Sequence, residues 1–391
     1  MSEALDVFVR GQLAGQLIKE HSDYMFSYAA GVSTDDFVSL TMPVRRKAYV
    51  LPNLPPVFEM HLPEGFLLAL IKKHFAKLTA TDDFGLLRLL APSIRGRVHY
   101  QRTPSAHTTT AAPSPVGLDE LLHPHQGLFD ELVERFALRS ALSGVQPKVL
   151  AQLEDKVTLT LDDYIVKAWG PDYPELALNE YFCMRAAQHA GIPVPEFYLS
   201  EDNQLLILKR FDLTATGVPL GFEDMCVLQA KQRDDKYTGS CEQVAKTIKR
   251  FCSPQYKQPS LQQFFKLTVL NHRLQNGDAH LKNFGLIYED ANSVRLAPAY
   301  DIVNTTAYIK NDVAALTLLG SKKWWSKEYL LRFGVQTCDL TISQANDLYS
   351  DCDQALATIQ QEINQRLTQP LNSNQRSLLE HMATTLHGVS R

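Results

Sequence analysis

"RLQNGDAHLKNFGLI", residues 273–287, sets Asn276, Asp278, His280, Lys282 and Asn283 within eight positions and then turns apolar. Just downstream, "SVRLAPAYDIV", residues 293–303, reads as a strand and delivers another carboxylate, Asp301. Polar residues this dense between apolar segments build either a site or a turn. Asp278 precedes Asn283 by five positions and Asp301 by 23. Phosphoryl transfer requires such a set. One carboxylate accepts or orients the proton of the acceptor hydroxyl, while an amide oxygen and a second carboxylate grip Mg²⁺, which prefers hard oxygen ligands. The simpler reading is a turn at Asn276-Gly277, with Asp278 capping the next segment. The spacing D-x-x-x-x-N alone arises in many unrelated proteins.

Upstream residues shift the balance. A protein kinase places a lysine on a strand to meet the ATP phosphates and a glutamate on the next helix to hold that lysine. "DYIVKAW", residues 163–169, puts Lys167 in an apolar, β-rich run, and "LNEYFCMRAA", residues 178–187, carries Glu180 on a helical pattern. Alone, Lys167 is a strand-edge lysine and Glu180 a solvated helix residue. The order strand Lys, helix Glu, hairpin, helices, Asp/Asn, Asp makes coincidence a poor explanation. No G-x-G-x-x-G loop precedes Lys167; the glycine in a suitable place is Gly144, in "LRSALSGVQPKVLAQL", residues 138–153. That segment can turn, and Ser143, Gln146 and Lys148 can meet phosphates through backbone N–H groups and side chains. It reads equally well as an ordinary strand-entry turn.

The whole-chain totals are those of an ordinary globular protein. At 391 residues the chain is too long for one core, so two or three domains are expected. Apolar content is 45%, charged content 21% and formal net charge −4, which gives no overall pull toward nucleic acid or anionic membrane. The six cysteines form no CxxC pair and match no zinc spacing, as expected of reduced thiols in a cytoplasmic protein. "MSEALDVFVRGQLAG" lacks the apolar core of a signal peptide, and no apolar run of about 18 residues predicts a membrane span.

The pattern predicts an α+β chain with two lobes. Residues 1–101 read as a small α+β module: two strands around Gly11, a third strand in "DDFVSLTMPV", a helix over 63–78, then a short helix and a closing strand. Residues 102–117, "RTPSAHTTTAAPSPVG" after Gln101, read as a flexible linker. Residues 118–221 form a strand-rich lobe. It begins with the helical "LDELLHPHQGLFDELVERFAL" and includes a helix ended by Gly191 and a hairpin at Asp202-Asn203. Residues 222–391 are mainly helical, with the polar cluster after "SLQQFFKLTVLNHRLQ" and two terminal helices. Every catalytic candidate lies beyond the linker, so the first module is expected to contact partners rather than to serve the chemistry.

"SGVQPK", "YIVKAW", "KRFD", "FEDMC", "KYTGS", "NGDAHLKNFGL" and "AYDIV", in this order, together resemble the HipA toxin kinases, along nearly the whole chain. The resemblance implies a two-lobed, protein-kinase-like fold with a HipA-type N-terminal subdomain. It implies an ATP- and Mg²⁺-dependent serine/threonine protein kinase, the toxin of a toxin–antitoxin pair. The partner would be a HipB-like helix-turn-helix antitoxin, with DNA reached only through it. The protein substrate would be translation-related, such as an aminoacyl-tRNA synthetase. By position, Asp278 would be the catalytic base, Asn283 and Asp301 the Mg²⁺ ligands, and Lys167 the phosphate-binding lysine held by Glu180. Val145, Gln146, Pro147, Lys148, Val149 and Leu150 would form the phosphate loop. Lys209, Arg210 and Phe211 would form the hinge near adenine. His280, Leu281, Lys282 and Asn283, with Tyr300 and Asp301, would line the nucleotide site. Ser143 would be the autophosphorylation site. Two departures stand out: Ala141-Leu142-Ser143 lacks the first serine of the family's Ser-Ile-Ser, and Lys209 stands where the family often has Glu.

Two other functions share these residues. A small-molecule kinase would use the same Asp/Asn/Asp set without needing the N-terminal module or Ser143. A catalytically inactive protein that only binds an antitoxin–DNA complex would have no need of filled catalytic positions, yet here all are filled.

Overall fold

The structure is a computed structural model that describes residues 3–65, 68, 71–72, 82–94, 96–102, 116–132, 157–161, 163–170 and 172–388. Strands β1 (Glu3–Val9), β2 (Gln12–Glu20), β3 (Asp23–Tyr28), β4 (Tyr49–Leu51) and β5 (Val98–Arg102) form an antiparallel sheet in the order β4-β3-β2-β1-β5. Arg10 and Gly11 both take positive φ, 50° and 79°, the backbone that a two-residue hairpin turn needs. Alternate residues Leu5, Val7 and Val9 of β1 are buried, so one face of the sheet is core. The third strand is Asp23–Tyr28, not "DDFVSLTMPV" as the sequence pattern predicts. That stretch forms a 3₁₀ turn at Thr34–Asp36 and an isolated bridge between Ser39 and Met42. The reason is a distant carboxylate: Glu223 accepts from the Leu40 N–H (2.7 Å), a group a strand partner would have used, and from the Ser39 hydroxyl beside it (2.6 Å). The predicted helix over 63–78 lies mostly outside the described residues. The helix Asp83–Leu90 is capped by the Asp82 side chain, which accepts from Gly85 N–H at 2.8 Å.

Most of the 102–117 segment lies outside the described residues. Beyond it, two short helices, Leu118–Leu122 and Leu128–Leu132, replace the single helical stretch, because Pro124 and Gly127 (φ 88°) interrupt it. Strands β6 (Val157–Thr160), β7 (Tyr164–Ala168), β8 (Phe197–Leu199) and β9 (Leu206–Lys209) form a second antiparallel sheet, ordered β6-β7-β9-β8. The helix Leu176–His189 comes after β7 and ends before Gly191 at φ 68°. Asn203, at φ 59°, turns the β8–β9 hairpin as expected.

The remainder is mainly helical but also holds a third sheet, β10 (Gly221–Asp224), β11 (Gly285–Tyr288) and β12 (Arg295–Leu296). Its helices include Cys241–Phe251, Pro254–Arg273, Lys327–Thr337, Ile342–Leu367 and Ser373–Gly388. Strand β12 stops at Leu296, so Asp301 does not lie on a strand. Pro298 offers no N–H to extend the ladder, and the backbone reaches Asp301 in the left-handed region at φ 61°. One apolar cluster joins these helices around Phe264, Leu270 and Ile359. A second runs from the N-terminal sheet (Leu5, Leu17, Phe26) to Leu159, Val166 and Ile207 of the second sheet, so those two sheets share a core. All six cysteines are buried and unpaired. Among the described residues, no helix is long and apolar enough to cross a membrane.

Candidate active site

The helix Pro254–Arg273 delivers the chain to the turn at 274–278, with Gln275 at φ 52°. Asn276 fixes the turn from inside: its amide donates to Asn271 Oδ1 (2.9 Å), and its Oδ1 accepts from Asp278 N–H (3.1 Å). Gly277 donates its N–H to Thr305 Oγ1 at 2.8 Å. A Cβ there would lie 1.9 Å from Asp312 Oδ2, so any other residue would have to push Asp312 aside. The 3₁₀ turn Leu281–Asn283 comes next, closed by the His280 N–H donating to Asn283 Oδ1 at 3.0 Å. Leu281 is fully buried in the helical core and anchors this turn rather than facing a site.

Four predicted residues from four segments meet in one network. The Lys167 ammonium, on β7, pairs with Glu180 of the helix Leu176–His189 and with Asp301 Oδ1 at 2.9 Å. Asp301 Oδ2 accepts from the Asn283 amide at 2.6 Å. Lys167 and Glu180 are both buried.

Asp278 lies apart from that network. Its Oδ1 accepts a hydrogen bond from the Tyr237 hydroxyl at 2.7 Å and lies 3.9 Å from His280 Nε2. His280 is buried, which lowers its pKa, and its ring stands edge-on to Tyr237 at 5.0 Å between centroids. Lys282 turns toward the protein. Its ammonium pairs with Asp224 Oδ2 at 3.0 Å and with Glu64 Oε1 at 2.9 Å. Burial opposes its charge, but the two carboxylates outweigh burial and hold its pKa above the ordinary lysine value. Glu64 also pairs with Lys236 at 3.1 Å, and these lysines hold its carboxyl below the usual range despite burial. Glu64 belongs to the N-terminal module, so that module reaches the polar turn directly.

In the segment expected to be the hinge, Lys209 is exposed and reaches Glu196 at 3.4 Å, while Arg210 makes a two-pronged pair with Asp212 at 2.7 and 2.9 Å. Phe211 stacks on Tyr300 (5.4 Å, 20° between planes), and Tyr300 donates to the Lys282 carbonyl at 2.8 Å. Residues 209–211 and the polar turn are therefore in contact through one aromatic pair. Ser143 and Val145–Leu150 lie outside the described residues. Sequence reasoning gave no role to Tyr237, Lys236, Asp224 or Glu64. The first three sit inside the motifs "KYTGS" and "FEDMC"; for Glu64 no local signal existed.

A model of the HipA-like C-terminal domain matches residues 140–366, and a model of the HipA N-terminal domain matches residues 5–101. "Putative kinase Y4dM" of Sinorhizobium fredii is 30% identical over 293 residues, covering 69% of this chain and 67% of that one. "Putative kinase Y4mE" of the same organism is 25% identical over 331 residues, 78% of each chain. A chain from the solved complex of the Shewanella oneidensis MR-1 toxin–antitoxin system HipA, HipB and operator DNA superposes with a TM-score of 0.73. It is 18% identical and covers 98% of this chain and 96% of that one. Fold and site together define the class, a mixed α/β protein with the kinase-like fold of HipA. The chain belongs to the HipA family.

Proposed function

We propose that this chain is an ATP- and Mg²⁺-dependent serine/threonine protein kinase, the toxin of a HipA/HipB-type pair. The observation that carries the reading is Lys167 bridging Glu180 and Asp301 while Asn283 holds the other oxygen of Asp301. Kinase relatives and the shared HipA fold support it.

The residues suit a metal shared with a nucleotide. Asp301 offers one carboxylate; Asn283, whose amide N–H faces Asp301 and whose Oδ1 accepts from the His280 N–H, would have to turn its amide to offer an oxygen, and no group of three or more His, Cys, Asp or Glu among the described residues forms a resident cage. Mg²⁺ is held in this way, by one or two protein oxygens completed by phosphates and water. When bound, it offsets negative charge on the phosphates. Lys167 pairs with Asp301 here and would turn to a phosphate, freeing that carboxylate for the metal. Glu180 keeps the lysine aimed. Asp278 is the base for the acceptor hydroxyl. The segment Val145–Leu150 would cradle phosphates and Ser143 would be the self-acceptor. A HipB-like antitoxin would be the partner and a translation protein, such as an aminoacyl-tRNA synthetase, the target. The test is phosphoproteomics after brief expression of the chain and of Asp278→Ala. Serine or threonine phosphorylation of a translation protein with the first alone supports the proposal. Identical phosphoproteomes oppose it.

A further inference from the structure

The Tyr237 hydroxyl donates to Asp278 Oδ1 at 2.7 Å, although the residue is 43% exposed and needs no buried partner. Its loop is fastened on every side. The Lys236 carbonyl accepts from Leu281 N–H at 3.0 Å, and Lys322 donates to the Tyr237 carbonyl at 3.2 Å. The N-terminal module holds the same loop: Glu59 accepts from Arg233 N–H (2.8 Å), Asp83 from the Arg233 guanidinium (2.7 Å) and Glu64 from Lys236 (3.1 Å). The His280 ring packs against the phenol nearly at right angles, 5.0 Å between centroids. A hydroxyl donating to a carboxylate oxygen at this distance has the relation that an acceptor hydroxyl must have to its general base.

We propose that the Tyr237 hydroxyl holds the acceptor-oxygen position on Asp278, so that a substrate hydroxyl must displace it and water is kept off the base. The inference rests on Asp278 being the base. Partial burial, with the charge of Asp278 beside it, raises the phenol's pKa, so Tyr237 remains an O–H donor at neutral pH. Removing the donor opens the position to water. The water proton then passes to Asp278, the water oxygen bonds to the γ-phosphorus, and the bond from that phosphorus to the β-bridging oxygen breaks, releasing ADP.

The experiment measures initial phosphate release from Mg-ATP without an added acceptor, using the full chain, Tyr237→Phe, Asp278→Ala and the double variant. Mg-ATP affinity is measured alongside by calorimetry. The expected result is a several-fold rise in hydrolysis for Tyr237→Phe at unchanged affinity, abolished in the double variant. A merely structural tyrosine would not raise the rate when removed. Tyr237→Leu, which also lacks the donor, should show the same gain and serves if the Phe variant is unstable. Unchanged or lower hydrolysis in both Tyr237 variants, with self-phosphorylation and nucleotide affinity intact, overturns this inference alone. Hydrolysis and transfer by Asp278→Ala equal to those of the unaltered chain would overturn the base assignment and this inference with it.

Discussion

Lys167 shows why a single residue reads poorly and its company reads well. A lysine in "YIVKAW" could serve any strand edge, yet its ammonium is buried between Glu180 and Asp301. Asp301 is the residue that must change partners, and its positive φ puts both carboxylate oxygens to use, one on Lys167 and one on Asn283. Asp301→Asn keeps the shape and removes the charge. It should raise the Mg²⁺ concentration needed for half-maximal turnover and lower the maximal rate, while affinity for metal-free ATP changes little. An unchanged Mg²⁺ titration would remove Asp301 from the metal site.

At the scale of elements, local chemistry was legible and distant chemistry was not. The hairpin at Arg10-Gly11, the helix stop before Gly191 and the hairpin at Asn203 each depend on residues in place, and the sequence pattern predicts all three. The stretch "DDFVSLTMPV" looked like a strand because its composition is strand-like. Glu223, 184 residues from Ser39, decided otherwise. The residue types of the Lys167, Glu180, Asn283 and Asp301 network were readable from order and spacing. The salt bridge between Glu64 and Lys282 was not, since no local pattern links a module residue to the polar turn. That bridge leads to a prediction. Glu64→Gln removes one of the two carboxylates on Lys282 and the partner of Lys236, loosening the turn between Asp278 and Asn283. Stability should fall by about 1 kcal/mol, below the usual range for charged hydrogen bonds because water screens a side chain that is 30% exposed. Turnover should fall with nucleotide affinity largely kept. Urea unfolding and steady-state kinetics check this, and wild-type values in both would show the bridge to be idle.

For the molecule as a whole, the N-terminal module is part of the folded body. It shares an apolar cluster with the second sheet and ion pairs with the polar turn. Stability should also depend on pH through the core. His272, buried near the end of the helix that leads to the turn, donates from Nδ1 to the Thr268 carbonyl at 2.9 Å, and burial lowers its pKa to about 4. It stays neutral in the fold while an unfolded chain takes up a proton below about 6.5. The unfolded state then binds more protons, so stability falls as pH drops from about 6.5 toward 4. His272→Gln should flatten this fall, measured as urea midpoints at neutral and mildly acidic pH; an equal fall in the variant would place the titration elsewhere.

The central claim is that the polar turn transfers phosphate with Asp278 as base. Its most direct test is the intact mass of the purified chain before and after incubation with Mg-ATP, with the modified residue mapped, beside Asp278→Ala. Asp278→Ala should fold as before, since Asp278 supports no core, and general-base loss should slow transfer about 10²–10⁴-fold. The unaltered chain should gain one phosphate, on Ser143, and the variant none over the same time. A folded chain that gains no phosphate, or a variant that gains it at the same rate, would contradict the account.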